Sequence, residues 1–414
     1  MEEWKEYKLG EIFDFNNGLS KGGKFFGHGY DFVSFKTVFK NHFLPNTLDD
    51  LVESSKKERE KFSVKEGDVF LTRTSETQNE LAYSCVALKD YPNATYNGFT
   101  KRLRPNGKIK IDSIFSAYFF RSAIFRNQVT SMSNMVTRAS LSNEMLDRMS
   151  IKIPSYDLQK TIGKILFSFD AKIQLNKRIN DNLEQQAQAL FKSWFVDFEP
   201  FKDGEFVNSE FGMIPKGWRT GVLSDIIEIL SGFAFKSNTF EFEGKYKLVT
   251  IKAVQDGYLE LNGADGINDV PVKVPRHCFL KKKDILLSLT GNVGRCCLVN
   301  SDNLLLNQRV AKIEPKKIAD WAYTYILFRL SDTKTYLETI SRGTAQANLS
   351  PIETANMPIL IPTREVMDAF SVCATPLVNY SMVLTIEAEK LAQQRDTLLP
   401  KLMSGELKIN DLTR

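Results

Sequence analysis

The chain repeats itself, and this constrains its architecture more than any other feature. Leu141-Ser142, Met149 and Ile151-Lys-Ile-Pro154 recur 208 residues later as Leu349-Ser350, Met357 and Ile359-Leu-Ile-Pro362. At the same offset Leu183-Glu-Gln-Gln186 meets Leu391-Ala-Gln-Gln394, Leu190 meets Leu398, and Tyr118-Phe-Phe-Arg121 meets Ile326-Leu-Phe-Arg329. Upstream the order holds with small shifts: residues 97–105 meet 307–315, 67–71 meet 283–287, 30–36 meet 246–252, and 9–18 meet 223–232. One such match between apolar stretches would carry little weight. So many in a single order argue for a duplicated module whose loops have diverged in length.

Each copy has two parts. The first, about 150 residues long, mixes short β-rich runs such as Val69-Phe-Leu-Thr, Ser84-Cys-Val-Ala-Leu and Asp284-Ile-Leu-Leu-Ser-Leu with Gly/Asn turns, then an apolar helical stretch at 114–125 or 321–330. The second part is one long helix. The first helix is expected after Pro154, with Ser155 as N-cap and Asp157 in the positive first turn; the second follows Pro362, with Thr363 as cap. A heptad seam reads Leu158, Ile162, Ile165, Phe169, Lys172, Asn176, Ile179, Leu183, Gln186, Leu190 in the first helix. In the second it reads Val366, Phe370, Cys373, Leu377, Tyr380, Leu384, Glu387, Leu391, Gln394, Leu398. Pairing the two stripes is the economical way to cover both; packing each helix on its own module is the other reading. In a pair, Lys172, Asn176, Gln186, Glu387 and Gln394 would fix register at some cost in stability. Pro376 is expected to kink the second helix. A helix of about 40 residues spans about 60 Å. Two modules at opposite ends of an antiparallel pair would stand more than one DNA turn, about 34 Å, apart.

Composition narrows the class without fixing it. The 414 residues are 43% hydrophobic and 25% charged, enough for large cores. A net charge of +5 suits a polyanionic partner and an ordinary soluble protein equally well. The N-terminus has no apolar leader and no apolar run of about 18 residues stands out, so no membrane segment is expected and a cytoplasmic location is. The five cysteines lack framework spacing and read as reduced thiols. His277-Cys278 and Cys296-Cys297 lack the two-residue gap of a chelate, so no metal is expected. Gly18-Leu-Ser-Lys-Gly-Gly-Lys24 nearly spells a phosphate loop, but Phe25 stands where Ser or Thr would bind magnesium, and the segment reads as a Gly-rich turn.

Trp4-Lys-Glu-Tyr-Lys-Leu-Gly10, Gly212-Met-Ile-Pro-Lys-Gly-Trp218, Asp284-Ile-Leu-Leu-Ser-Leu-Thr-Gly-Asn-Val-Gly294, Leu306-Asn-Gln-Arg-Val310, Gly343-Thr-Ala-Gln-Ala-Asn-Leu-Ser350 and Leu399-Pro-Lys-Leu-Met-Ser-Gly-Glu-Leu407 occur in that order. Together they resemble the specificity subunit of a type I restriction–modification system, over essentially the whole chain. The first copy departs at Thr72-Arg-Thr-Ser-Glu76 and Met135-Val-Thr-Arg-Ala-Ser140. The resemblance implies an α+β fold: two β-rich mixed target-recognition domains joined by a pair of long antiparallel coiled-coil helices, with an internal pseudo-two-fold repeat. The segments expected are 1–154, the first recognition domain; 155–200, the central helix; 201–362, a linker and the second recognition domain; and 363–414, the C-terminal helix and tail. It further implies double-stranded DNA read at a bipartite site, two methyltransferase subunits docked on the helices, and motor-nuclease subunits. Methylation would fall on adenine N6, with S-adenosylmethionine, ATP and magnesium held by those partners. A chain without adjacent prolines cannot hold the Asn/Asp-Pro-Pro-aromatic loop of such a methyltransferase, so this chain is expected to be non-catalytic. A protein-binding scaffold and a stand-alone DNA-modifying enzyme are the rival readings.

Base edges are read by Arg, Lys, Asn and Gln, and phosphates by Lys, Arg and backbone amides. Candidates are expected in loops at matching repeat positions: Lys36 with Lys252; Arg73 and Thr74 with Asn292 and Arg295; Lys101 and Arg102 with Gln308 and Arg309; Arg138 with Arg342 and Gln346. For partner binding, Leu183, Gln186, Leu391, Gln394 and Leu398 lie on the helices. Phe191, Trp194, Phe195 and Phe198 form an aromatic cluster that reads as core or as a docking patch.

Overall fold

The computed structural model describes residues 4–75, 80–132, 139–343 and 347–407. The chain divides into two compact units, Met1–Ile173 with Lys390–Arg414, and Gln174–Glu389. Arg138 and Gln346 lie outside the described residues.

In the first unit a four-stranded antiparallel sheet runs in the order Phe13–Asn17, Thr100–Pro105, Val69–Thr72, Ser84–Val86. In the second, Ile227–Ser231, Val310–Pro315, Ile285–Ser288 and Cys296–Leu298 follow the same order. The duplication reaches individual registers. Lys5 opposite Ile153 becomes Arg219 opposite Ile361. The parallel pairs Phe32–Thr95 and Val33–Tyr96 become Leu248–Leu305 and Val249–Leu306. Gly18 and Gly232 are a matched necessity: a Cβ on either would stand 2.1 Å from the carbonyl oxygen of Asn97 or Asn307.

The sheets are buried on both faces, which explains their unbroken apolar runs. Side chains alternate across the sheet. Val69, Leu71 and Leu103 face a layer that includes Phe115, Phe119 and Phe120, while Phe70, Cys85 and Ala87 face a second core with Tyr96. In the second unit Ile285, Leu287 and Cys296 face Ile326 and Phe328, while Leu286 and Cys297 face Leu248 and Leu305. Cys296 and Cys297 therefore point to opposite faces. Burial pushes the Cys297 thiol up to about 12 and the Cys85 thiol likewise to about 12, keeping both protonated. In the linker, Ile214 and Trp218 are buried in the second unit's core, which explains that stretch of the motif structurally.

The long helices span Tyr156–Phe195 and Arg364–Ser404, starting after Ser155 and Thr363 as expected. In the second unit they run antiparallel: Asn176 donates to Glu387 Oε2 at 2.7 Å, and Asn180 donates to Thr385 Oγ1 at 3.0 Å. In the first unit Arg395 pairs with Asp170, and Leu402 and Met403 are buried in the core beside Ile162 and Leu166. The heptad reading is right for Ile162, Asn176, Leu183, Phe370 and Leu384, which are buried, and in part for Leu158, Ile165, Leu190, Val366, Leu377 and Leu398, which pack half-buried against the cores; it is wrong at the exposed positions. Past Leu183 the buried line is Ala187, Phe191, Phe195, and Gln186 is exposed. On the second helix Met367, Phe370, Ala374 and Val378 are buried, whereas Cys373 is exposed, Tyr380 is half-exposed and Gln394 is exposed. Lys172 is also exposed. A straight helix drifts off a seven-residue repeat by about 20° per heptad, so a strict seam loses the buried face. The second helix continues unbroken through Pro376. The carbonyl that Pro376 cannot engage belongs to Val372, which is 76% exposed and open to water. This helix is also long and apolar enough, by length and composition, to cross a membrane, contrary to the sequence expectation. Its buried face nevertheless has protein partners in Phe195 and Tyr323.

Candidate nucleic-acid interface

At one end of each central sheet three segments are tied together by the same backbone hydrogen bonds. In the first unit Arg73 N donates to Phe99 O at 2.8 Å, and Leu141 N donates to Arg73 O at 2.8 Å. In the second unit Leu289 N donates to Arg309 O at 2.9 Å, and Leu349 N donates to Leu289 O at 2.7 Å. Thr74 pairs with Ser140 as Thr290 bridges to Asn348, whose side chain accepts from Thr290 Oγ1 at 3.0 Å. The turns Asn97–Thr100 and Asn307–Val310 are anchored from behind as well. Asn97 N donates to Val33 O and Gly98 N to Leu19 O; Asn307 N donates to Val249 O and Gln308 N to Phe233 O. Each unit thus presents a braced rim on a rigid sheet, the arrangement that places recognition groups most accurately.

The side chains on this rim differ between the copies. Asn292, Gln308 and Arg309 are exposed in the second unit, and Arg309 has a left-handed backbone with φ 69°. Arg342 is exposed and paired with Glu353 across a short bridge to Asn348. Arg295 is half-buried and donates to Gln255 Oε1 at 2.5 Å. In the first unit Arg73 is half-buried beside Thr74, with its Nε lacking a hydrogen-bond partner. Lys36 is exposed on the helix Phe35–Lys40, which Ser34 caps by accepting from Thr37 N at 3.2 Å. Lys252, its repeat partner, is exposed too.

Lys101 and Arg102 correct the sequence reading. They lie in the strand Thr100–Pro105, not in a loop, and are 3% and 5% exposed. Lys101 donates to Asn17 Oδ1 and Asn143 Oδ1, and Arg102 donates to Ser63 O at 2.7 Å. Burial lowers both of their pKa values, with Arg73 adding to the effect at Lys101. Their repeat partners are also different. The register places Lys101 opposite Asn17 and Ala311 opposite Ser231, so Lys101 and Arg102 match Ala311 and Lys312. Gln308 and Arg309 match Gly98 and Phe99. Phe99 was not a sequence candidate, since phenylalanine is not among the base-reading types considered; the 210-residue offset applied strictly pairs it with Arg309.

The aromatic cluster is core. Phe191 and Phe195 are buried, and Phe195 lies 4.7 Å from Phe370 and 5.0 Å from Tyr323 between ring centroids. Phe198 packs on Trp218 at 5.4 Å, and Trp194 on Phe370 at 5.7 Å. Leu183 is buried, Leu391 half-buried, and Leu398 packs against the first unit's core. On the long-helix segments of the second unit, the apolar side chains left uncovered are at other positions: Leu175, Val372, Tyr380 and Val383 are 49%, 76%, 50% and 56% exposed. Gly22 and Gly23 of the phosphate-loop look-alike form a short turn, and no atom would meet a Cβ on either within 4 Å.

The family model described as "Type I restriction modification DNA specificity domain" matches residues 1–185 and 215–366. Over 333 residues the chain is 29% identical to the type I restriction enzyme MjaIX specificity subunit of Methanocaldococcus jannaschii, covering 79% of this chain and 76% of that one. Over 476 residues it is 23% identical to the HindI specificity subunit of Haemophilus influenzae, covering 98% and 100%. The crystal structure of the S subunit of a type I restriction-modification system from M. genitalium superposes with a TM-score of 0.57 at 14% identity, covering 97% of this chain and 96% of that one. At that identity the likeness is one of fold.

Proposed function

The chain belongs to the type I restriction modification DNA specificity domain family, and on that premise we propose that it reads a bipartite DNA site, one short tract per unit, and directs other chains to it. The observation that carries this is the rim built twice: identical backbone anchors in both units hold different side chains, Phe99 in one and Arg309 in the other. Shared scaffolding with divergent tips is what two readers of different sequences need. The long helices set the spacing between the tracts. Their polar contacts, Asn176 to Glu387 and Asn180 to Thr385, favour one register over its neighbours.

Reactivity belongs to partners in this reading. Two methyltransferase subunits bring S-adenosylmethionine and methylate adenine N6. Motor-nuclease subunits bring ATP and magnesium, and the assembly works on DNA in the cytoplasm. The methyltransferases dock on the helices, and the exposed Val372, Tyr380 and Val383 suit that contact better than the buried Phe191 and Phe195.

Sequencing of N6-methyladenine in cells carrying this chain and its methyltransferase tests the reading. A methylated motif of two specific tracts separated by a fixed unread gap is expected. A single uninterrupted motif, or methyl transfer by the purified chain alone, would overturn it.

A further inference from the structure

One position in each rim is fixed by the same anchors yet differs completely in chemistry. Phe99 is 64% exposed. A ring of that size on a mobile loop would fold back out of water. Here it is held out: Phe99 N donates to Asn97 Oδ1 at 2.7 Å, and Phe99 O accepts from Arg73 N at 2.8 Å. The preceding Gly98 lies so close to Ser20 that a Cβ would stand 2.0 Å from its Oγ. At the matching position Arg309 is exposed, and its guanidinium makes no hydrogen bond or ion pair among the described residues. Its φ of 69° is a conformation side-chain-bearing residues seldom adopt, and such strain concentrates at functional sites.

We propose that this shared position is a specificity-determining DNA contact in both units: Phe99 packs its ring on the methyl group of a thymine, and Arg309 donates two N–H groups to the edge of a guanine. Both contacts follow from major-groove chemistry, where the thymine methyl is the apolar mark and the paired acceptors of guanine match the planar guanidinium fork. The anchors explain why the position is usable. A tip held by backbone bonds to a buried sheet loses little freedom when it meets DNA. The proposal rests on the DNA-specificity reading above.

The test is N6-methyladenine sequencing of cells carrying the full chain and its methyltransferase, with Phe99→Ala, Phe99→Leu, Arg309→Ala and Arg309→Lys compared with wild type. Arg309→Ala is expected to relax one guanine of one tract by about 5- to 150-fold in relative methylation, with Arg309→Lys in between. Phe99→Ala is expected to relax one thymine of the other tract, and Phe99→Leu, which keeps an apolar contact, to retain part of the preference. The conservative variants decide the matter if either truncation abolishes methylation. A wild-type split motif that all four variants leave unchanged overturns the tip assignment alone. A wild-type motif that is not split overturns the underlying reading and this proposal with it.

Discussion

Asp68 is fully buried, and its two carboxylate oxygens accept from Arg104 at 2.7 and 2.6 Å. Removing one partner of such a pair leaves the other charge uncompensated, at a cost of about 3–5 kcal/mol. Asp68→Ala is therefore expected to lower unfolding free energy by about 3 kcal/mol in urea titration, and a loss below about 1 kcal/mol would contradict the assignment. His42 carries a pH dependence. Burial, reinforced by the Arg121 guanidinium and only partly offset by a backbone hydrogen bond with Ala117 and by Asp170, lowers its pKa from 6.5 to about 4. The unfolded chain then binds a proton below pH 6.5 that the folded chain refuses until about pH 4. Stability is thus full above pH 6.5 and falls as pH drops toward 4. His42→Gln should flatten the fall in melting temperature between pH 7 and pH 5; a variant as steep as wild type would show His42 is not the cause. At this scale the sequence was partly legible. Arg309 and Asn292, chosen for their chemistry at repeat positions, lie exposed, but Lys101 and Arg102, chosen in the same way, are buried. Composition does not say which cations a strand turns inward.

Among the elements, the strands followed the repeat closely. Offsets read from letters reappear as residue-by-residue registers, because a one-residue slip would turn every buried side chain to the wrong face. The helices followed it less well. Their existence and starts were legible, but the buried face only in part, since a seven-residue period drifts from a 3.6-residue helix over 40 residues. The exceptions are the polar pins. Asn176 is fully buried, and its Oδ1 has no hydrogen-bond partner, so the pin costs stability while it selects register. Asn176→Leu is expected to leave unfolding free energy within about 1 kcal/mol of wild type or raise it. A drop of more than about 2 kcal/mol in urea titration would show that the bond to Glu387 contributes net stability instead.

For the molecule as a whole, the duplication was the most legible property and the division into compact units the least. Each helix begins in one unit and ends in the other, so the division falls at Ile173 and Glu389, where no composition shift marks it. Phosphate contacts make DNA binding salt-dependent, and a two-reader chain with its methyltransferase should lose affinity steeply as salt rises. A flat salt response in fluorescence anisotropy would favour a protein-binding scaffold. The central claim is that the paired helices set the distance between two independent readers. Deleting seven residues from each long helix, at facing positions, shortens a helix by about 10 Å, close to three base pairs of rise. N6-methyladenine sequencing of cells carrying that variant and its methyltransferase should return both specific tracts unchanged with a shorter gap between them. An unaltered gap, with methylation intact, would contradict the account.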